Sequence, residues 1–250
     1  MITIERIIQN KPHLKEILRL YEKVIEFQGH VAPMLRGAVS IEDVKYPSEL
    51  VNPIMEGFTA IFDVPAEGLT ALHEAMKSGL IDFTRLPLGE APSFSLPYHE
   101  DEVKSILFII GRPFFIKLKE LCNFDNTFWQ EGRCPVCHAQ PTMVSLADQE
   151  RRQVYCSFCQ TKGYFKQTGC PICYNNDVSK INIITLEKEE DFRADMCRVC
   201  NTYLKFLESE VLADLTVDIA DLVSLPLDLI VQNKGFSRVA PNPIGLTRIA

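Results

Sequence analysis

The chain has 250 residues, enough for two modest domains, and its 46% hydrophobic and 24% charged residues are the balance of a soluble globular protein. The net charge of −7 is spread thinly: residues 1–130 hold 13 basic and 18 acidic side chains, 131–210 hold 10 and 11, and 211–250 hold 3 and 4. With no basic region, the sequence argues against a phosphate-binding surface and so against a nucleic-acid partner.

The start of the chain, Met1 to Arg6, has neither a basic stretch nor a continuous apolar one, so no export signal is expected. The longest apolar run, 106–116, is broken at Gly111-Arg112-Pro113 and is too short to span a bilayer. No membrane insertion and a cytoplasmic location are the expectation. Leu14, Ile17, Leu18, Tyr21, Val24 and Ile25 form one apolar stripe and predict a helix over about 13–28, with Pro12 in its first turn and Gly29 as its cap. Residues 30–47 carry Pro33, Gly37 and Pro47 and read as a loop. A second helix is expected over 48–62 and a third over about 65–80, with Leu69, Leu72, Met76 and Leu80 on one face. Residues 86–97 are rich in Pro, Gly and Ser and read as an exposed connector. Helix resumes near Asp101, and Pro113 is expected to kink or break it. Trp129 is placed to pack this helical part onto the cysteine-rich part of the chain. The chain thus divides into a helical domain over 1–130, a cysteine-rich module over 131–210, and a C-terminal helix and tail over 211–250.

The module holds four Cys-x-x-Cys pairs within 67 residues: Cys134/Cys137, Cys156/Cys159, Cys170/Cys173 and Cys197/Cys200. Such a pair on a tight turn points two thiolates at one tetrahedral metal, and two pairs close a tetrathiolate shell suited to Zn or Fe. Paired thiols of this kind belong to a reducing compartment rather than to a disulfide framework. The stretch is also an internal repeat. Cys134-Pro135-Val136-Cys137 is echoed by Cys170-Pro171-Ile172-Cys173 at 36 residues, and Cys156-Ser157-Phe158-Cys159 by Cys197-Arg198-Val199-Cys200 at 41. The spacers of 18 and 23 residues each fit a β-hairpin. The reading is two tandem rubredoxin-like ribbons, with sites Cys134/Cys137/Cys156/Cys159 and Cys170/Cys173/Cys197/Cys200. A cross-braced pairing of first knuckle with third is the alternative. Strands are expected at 143–146, 153–155, 181–186 and 201–207, with turns at 147–152 and 187–191. Ribbons this small bury little core, so metal binding supplies folding energy.

Residues 214–233 read as one amphipathic helix with Asp218, Asp221 and Asp228 on its polar side and a kink at Pro226; Gly235 ends it and an extended tail comes after. These three aspartates, with Arg238 and Asn242 in the tail, are the candidate partner-binding residues. An extended segment must find partners for its backbone groups, which favours the tail residues. Cys122, outside the pairs, reads as a packed core thiol. His138 reads as a turn residue. His13, His30, His73 and His99 show no ligand spacing. No phosphate loop, Ser/His/Asp set or paired-carboxylate motif is present, so no catalytic residues are assigned and the chain is not expected to be an enzyme.

The four knuckles, Asn201-Thr202-Tyr203-Leu204-Lys205, the stretch Ala220 to Asp228, and Gly235-Phe236-Ser237-Arg238 with Asn242-Pro243 together resemble FdhE, the formate dehydrogenase accessory protein family. The resemblance covers roughly residues 134–245. Three departures from the family pattern are His138 in place of a glycine, Gly163 in place of an aromatic residue, and Pro226 within the helix. The resemblance implies a cytoplasmic maturation factor that binds the catalytic subunit of a formate dehydrogenase, and iron of rubredoxin type as one native metal. Two other functions stay open on the residues alone. One is a rubredoxin-like electron carrier, which leaves the helical domain without a role. The other is a zinc-ribbon nucleic-acid binder, which the acidic balance disfavours. The spacing sets neither the oligomeric state nor the choice of Fe or Zn.

Overall fold

The structure, a computed structural model, describes residues 2–35, 44–45, 48–90, 96–148, 151–186 and 189–249. Most of the loop expected over 30–47, the middle of the 86–97 connector and the tips of the 147–152 and 187–191 turns lie outside them. The fold is α+β: helices come first, then two four-cysteine ribbons, then short helices and a tail.

Helix α1 (Ile4–Asn10) is capped by the Thr3 hydroxyl, which accepts from the Arg6 amide at 3.4 Å. A 3-10 turn at Pro12–Leu14 leads into α2 (Lys15–Val31), which buries Leu18, Tyr21, Val24, Phe27 and Val31. The helix runs through Gly29 instead of ending there. A glycine inside a helix costs about 1 kcal/mol, and burial of Val31 outweighs it. Ile25 is exposed, and Phe27 takes its place on the inner face. Helix α3 (Val51–Phe62) packs beside α2, with Phe27 edge-on to Phe58 at 5.5 Å, and α4 (Thr70–Lys77) packs on α3. Leu80 lies beyond α4 and is exposed, unlike the expectation.

Helix α5 (Glu100–Glu120) is unbroken across Pro113. Its interior from Leu107 to Phe115 is buried all round, so tertiary packing overrides the lost backbone hydrogen bond. Gly111 makes this possible, because a Cβ there would lie 2.8 Å from the Phe83 ring.

Seven strands make one sheet: β1 (Thr127–Phe128), β2 (Met143–Leu146), β3 (Arg151–Tyr155), β4 (Lys162–Lys166), β5 (Ile181–Leu186), β6 (Glu189–Cys197) and β7 (Thr202–Leu207). Their order is β1-β4-β3-β2-β7-β6-β5. Each ribbon is an antiparallel three-stranded unit, β2-β3-β4 or β5-β6-β7. The units join head to tail, since β7 of the second pairs in parallel with β2 of the first, Met143 opposite Lys205 and Val144 opposite Phe206. The expected C-terminal helix is two: α7 (Val217–Val223) and α8 (Leu225–Asn233), after a short α6 (Val211–Asp214). Pro226 does not kink a helix but starts one, in the first turn of α8 where its missing N–H is harmless. One buried core runs from Ile7 through the first ribbon to Ile244. A smaller one, Ala194, Met196, Tyr203 and Val231, lies where α8 covers the second ribbon.

Candidate metal centres and a buried ion-pair cluster

All four knuckles are built on the same turn. The residue after each pair, His138, Gln160, Tyr174 or Asn201, has φ between 54° and 62°. This is the left-handed region that glycine favours, so His138 occupies it at a strain of about 1–2 kcal/mol. In the first three knuckles that residue's amide donates to the carbonyl of the first cysteine: His138 to Cys134 at 2.9 Å, Gln160 to Cys156 at 3.2 Å and Tyr174 to Cys170 at 2.9 Å. The fourth is clamped by the β6–β7 register, Cys197 opposite Thr202.

These turns gather the thiols into two groups, Cys134/Cys137/Cys156/Cys159 and Cys170/Cys173/Cys197/Cys200, each with its sulfurs within 4.8 Å of one another. The pairing is sequential, not cross-braced. Sγ separations are 3.4 Å for Cys134–Cys159 and for Cys137–Cys156, 3.8 Å for Cys170–Cys200 and 3.7 Å for Cys173–Cys197. A tetrahedron with metal–sulfur bonds of about 2.3 Å has edges of about 3.8 Å, so both groups fit one tetrahedral ion. The thiols by themselves are frustrated. Burial pushes Cys137 and Cys156 up, whereas at Cys134 the three neighbouring sulfurs outweigh burial and hold the thiol below its ordinary range. Burial also raises Cys170 and Cys173. Four thiols that cannot ionise together against burial are what a bound cation resolves, because it stabilises all four as thiolates.

Two further residues belong to the sites and were missed in the sequence. Thr161 Oγ1 lies 3.0 Å from Cys159 Sγ, and Thr202 Oγ1 lies 2.9 Å from Cys200 Sγ. A hydroxyl donating to a ligand sulfur orients it and tunes the metal. The signal was present as a threonine two residues after the last cysteine of each repeat. The sites differ in setting. All four cysteines of the first are buried, whereas Cys173 and Cys200 of the second are half-exposed. Cys122 sits just beyond α5, half-buried against the core.

Asp221 and Asp228 are buried and do not form the polar helix face expected of them, and the tail residues Arg238 and Asn242 are buried as well. Arg238 Nη1 donates to Asp221 Oδ1 at 2.9 Å and Asp228 Oδ1 at 3.0 Å, and Nη2 donates to Asp221 Oδ2 and Thr142. Lys205, on β7, lies 2.5 Å from both Asp221 Oδ1 and Asp228 Oδ2. Tyr203 donates to Asp228 at 2.6 Å. Two cations thus meet two anions, which is what allows the charges to be buried. Burial opposes ionisation of Asp221, but Arg238 and Lys205 lower it to about 2. Asn242 Oδ1 accepts from the amides of Ile244 and Leu246 at 3.1 and 2.9 Å and folds the tail. Asp218 stands apart and half-buried, receiving Arg112 Nη2 at 2.5 Å, Tyr21 Oη at 2.9 Å and Gln160 at 3.4 Å. It joins α2, α5 and α7 to the second knuckle. Burial opposes the Arg112 charge, and Asp218, with smaller help from Tyr21 and Cys156, holds its pKa above the ordinary value.

Residues 154–244, from β3 through the last knuckles to the tail, match the family model described as FdhE, C-terminal domain. Over this stretch the chain carries the C-terminal domain of the FdhE family. It is 33% identical over 125 residues to a Protein FdhE homolog of Proteus mirabilis, covering 48% of this chain and 40% of that protein. To a Protein FdhE homolog of Aquifex aeolicus it is 25% identical over 150 residues, covering 58% and 53%. To Protein FdhE of Escherichia coli K12 it is 31% identical over 118 residues, covering 46% and 38%. The chain therefore spans about half, or less, of the length of these relatives. The fold is that of the crystal structure of the FdhE protein from Pseudomonas aeruginosa, with a TM-score of 0.69 at 18% identity over 99% of this chain and 95% of that one. The family's C-terminal model thus begins inside the first ribbon and takes in three of the four knuckles and the buried ion-pair cluster. Among the described residues no helix is long and apolar enough to cross a membrane.

Proposed function

We propose that this protein is an accessory factor for formate dehydrogenase, that it acts in the cytoplasm by binding the catalytic subunit during maturation, and that it carries out no catalysis itself. The match of residues 154–244 to the FdhE C-terminal domain, with the likeness to FdhE homologues, is the observation that carries this reading. We take the eight cysteines as ligands of two ions, Fe or Zn, since soft thiolate shells accept both. A closed tetrathiolate shell leaves no open coordination position, so its role is to hold a scaffold rather than to activate water. Domains over 1–130, 131–210 and 211–250 remain our division of the chain. For Asp221, Asp228, Arg238 and Asn242 the role in partner binding is indirect: they pin the tail and the α7–α8 corner in one shape. Asp218 does the same for the seam between helices and ribbon. We propose that no nucleic acid binds, given the net charge of −7.

The test is a deletion strain. Formate dehydrogenase activity should fall while its transcript is unchanged, and purified protein should co-elute with the immature catalytic subunit. Normal activity in the deletion strain would count against the reading. The electron-carrier alternative rests on one observation, the half-exposed Cys173 and Cys200. It requires a reversible Fe(III)/Fe(II) couple in the iron-loaded chain, which voltammetry would detect.

A further inference from the structure

The two ribbons are copies, yet their surroundings differ. The first is covered on two sides. Its β2 edge carries β7 in parallel. Its knuckle tip, Phe158, is 3% exposed and sits edge-on between Phe108 and Phe115 of α5, with ring centroids 4.9 and 5.7 Å away. The second ribbon has neither cover among the described residues. The repeat places Val199 where Phe158 stands, and Val199 is 55% exposed. The counterpart of β2 is β5, the last strand of the sheet, whose one strand partner among the described residues is β6. Residues aligned by their distance from the knuckle make Asn182, Ile183 and Ile184 the counterparts of Met143, Val144 and Ser145, because Met143 faces Tyr155 and Asn182 faces Met196, each just before a cysteine. Val144 is fully buried, and Ile183 is 58% exposed.

Among the described residues nothing blunts the β5 edge. Ile-Asn-Ile-Ile-Thr-Leu has no charge, proline or glycine over six residues. Such an edge is a template for another strand, and proteins ordinarily blunt it. The opposite edge of the sheet is blunted: β1 covers β4, which carries Lys162 and Lys166. Val178, exposed in the 3-10 turn just before β5, and Val199 extend the apolar surface toward the second four-cysteine group, where Arg198 is tied to the carbonyls of Lys180 and Ser179 at 2.9 and 3.0 Å.

We propose that β5 and the Val199 knuckle form the docking site for an extended, uncharged segment of the client protein. The segment adds in parallel beside Asn182–Ile184, as β7 adds to β2, and sets an apolar side chain on Val199, as α5 does on Phe158. Main-chain hydrogen bonds supply the affinity in this mode, and alternate side chains supply the choice of segment. This rests on the reading that the protein binds an immature catalytic subunit. Affinity for purified apo catalytic subunit would be measured with the metal-loaded full chain and its variants Ile183→Lys and Val199→Glu, with Ile25→Lys on exposed α2 as control. Each of the first two should weaken binding tenfold or more with two metals retained, the control should not, and the amides of 182–184 should gain protection from deuterium exchange in the complex. Unchanged binding or unchanged exchange would overturn the docking site while leaving the accessory role intact. A wild-type dimer that dissolves in Ile183→Lys, with catalytic-subunit binding unaffected, would hand the edge to a second copy of the chain and overturn the client. Failure of the wild-type chain to bind the subunit at all would sink the accessory reading and this proposal together.

Discussion

Arg238 ties the tail to the α7–α8 corner, because it reaches Asp221, Asp228, Thr142 and the carbonyl of Ala240 together. Removing one partner from a buried cluster leaves an uncompensated charge, at a cost of about 3–5 kcal/mol. Arg238→Met is expected to lose that much in chemical denaturation with metals bound. The same cluster gives a pH dependence. Asp221 is lowered to about 2 from its ordinary 3.8, so the stability it adds is complete above about pH 4 and disappears as pH falls toward 2. The shift corresponds to about 2 kcal/mol. The stability of Asp221→Asn should change less than wild type over that interval, and matched metal content in both separates this from acid release of the ions. A second residue-scale prediction concerns Gly163, where an aromatic was expected. The space is taken by the chain's single tryptophan: a Cβ on Gly163 would lie 2.1 Å from Trp129 Nε1. Gly163→Ala should cost about 1–3 kcal/mol and shift the tryptophan emission to the red.

At the scale of elements, the seam between α5 and the first ribbon is carried by rings. Phe158→Ala removes a buried aromatic side chain and is expected to cost about 3–5 kcal/mol. Val199→Ala, at the matching place in the second ribbon, should fall within about 0.5 kcal/mol because that side chain is exposed. Thermal unfolding of the two variants would check the contrast; equal losses would mean that the second knuckle is also packed. The left-handed turns offer a gentler change. His138→Gly should be neutral or stabilising by up to about 1 kcal/mol, since glycine tolerates φ of 62° without strain.

For the whole molecule, the two metal centres stand differently to the core. Cys134, Cys137, Cys156 and Cys159 belong to the core that runs from Ile7 to Ile244; Cys170 and Cys197 are buried outside it. Cys134→Ser is therefore expected to loosen helices and sheet together. Cys170→Ser should expose the second ribbon alone and leave a protease-resistant piece containing α1 to α5 and the first ribbon. Limited proteolysis with metal analysis would distinguish them, with about two ions per chain in the unaltered protein.

The eight paired cysteines were legible as two groups before any folding, because Cys-x-x-Cys spacing is local chemistry repeated four times and needs no neighbour to be read. The boundaries of β2 and β5 came from the same local repeat, whereas sequential against cross-braced grouping was decided only by the folded turns. Helix α2 was legible in position but not in extent, since neither the exposure of Ile25 nor the passage through Gly29 is encoded in periodicity. Pro113 inside α5 and Pro226 at the head of α8 show the limit again: whether a proline breaks a helix or is tolerated depends on what packs around it. The largest difference lies in the aspartates. A carboxylate on an amphipathic pattern reads as solvent-facing, because its desolvation is costly unless paired. Only the tertiary structure brings Lys205 from β7 and Arg238 from the tail to Asp221 and Asp228, and only it joins the ribbons edge to edge through β2 and β7. Those contacts are between residues far apart in the chain, so no local pattern announces them. They decide which repeat is enclosed and which is left open.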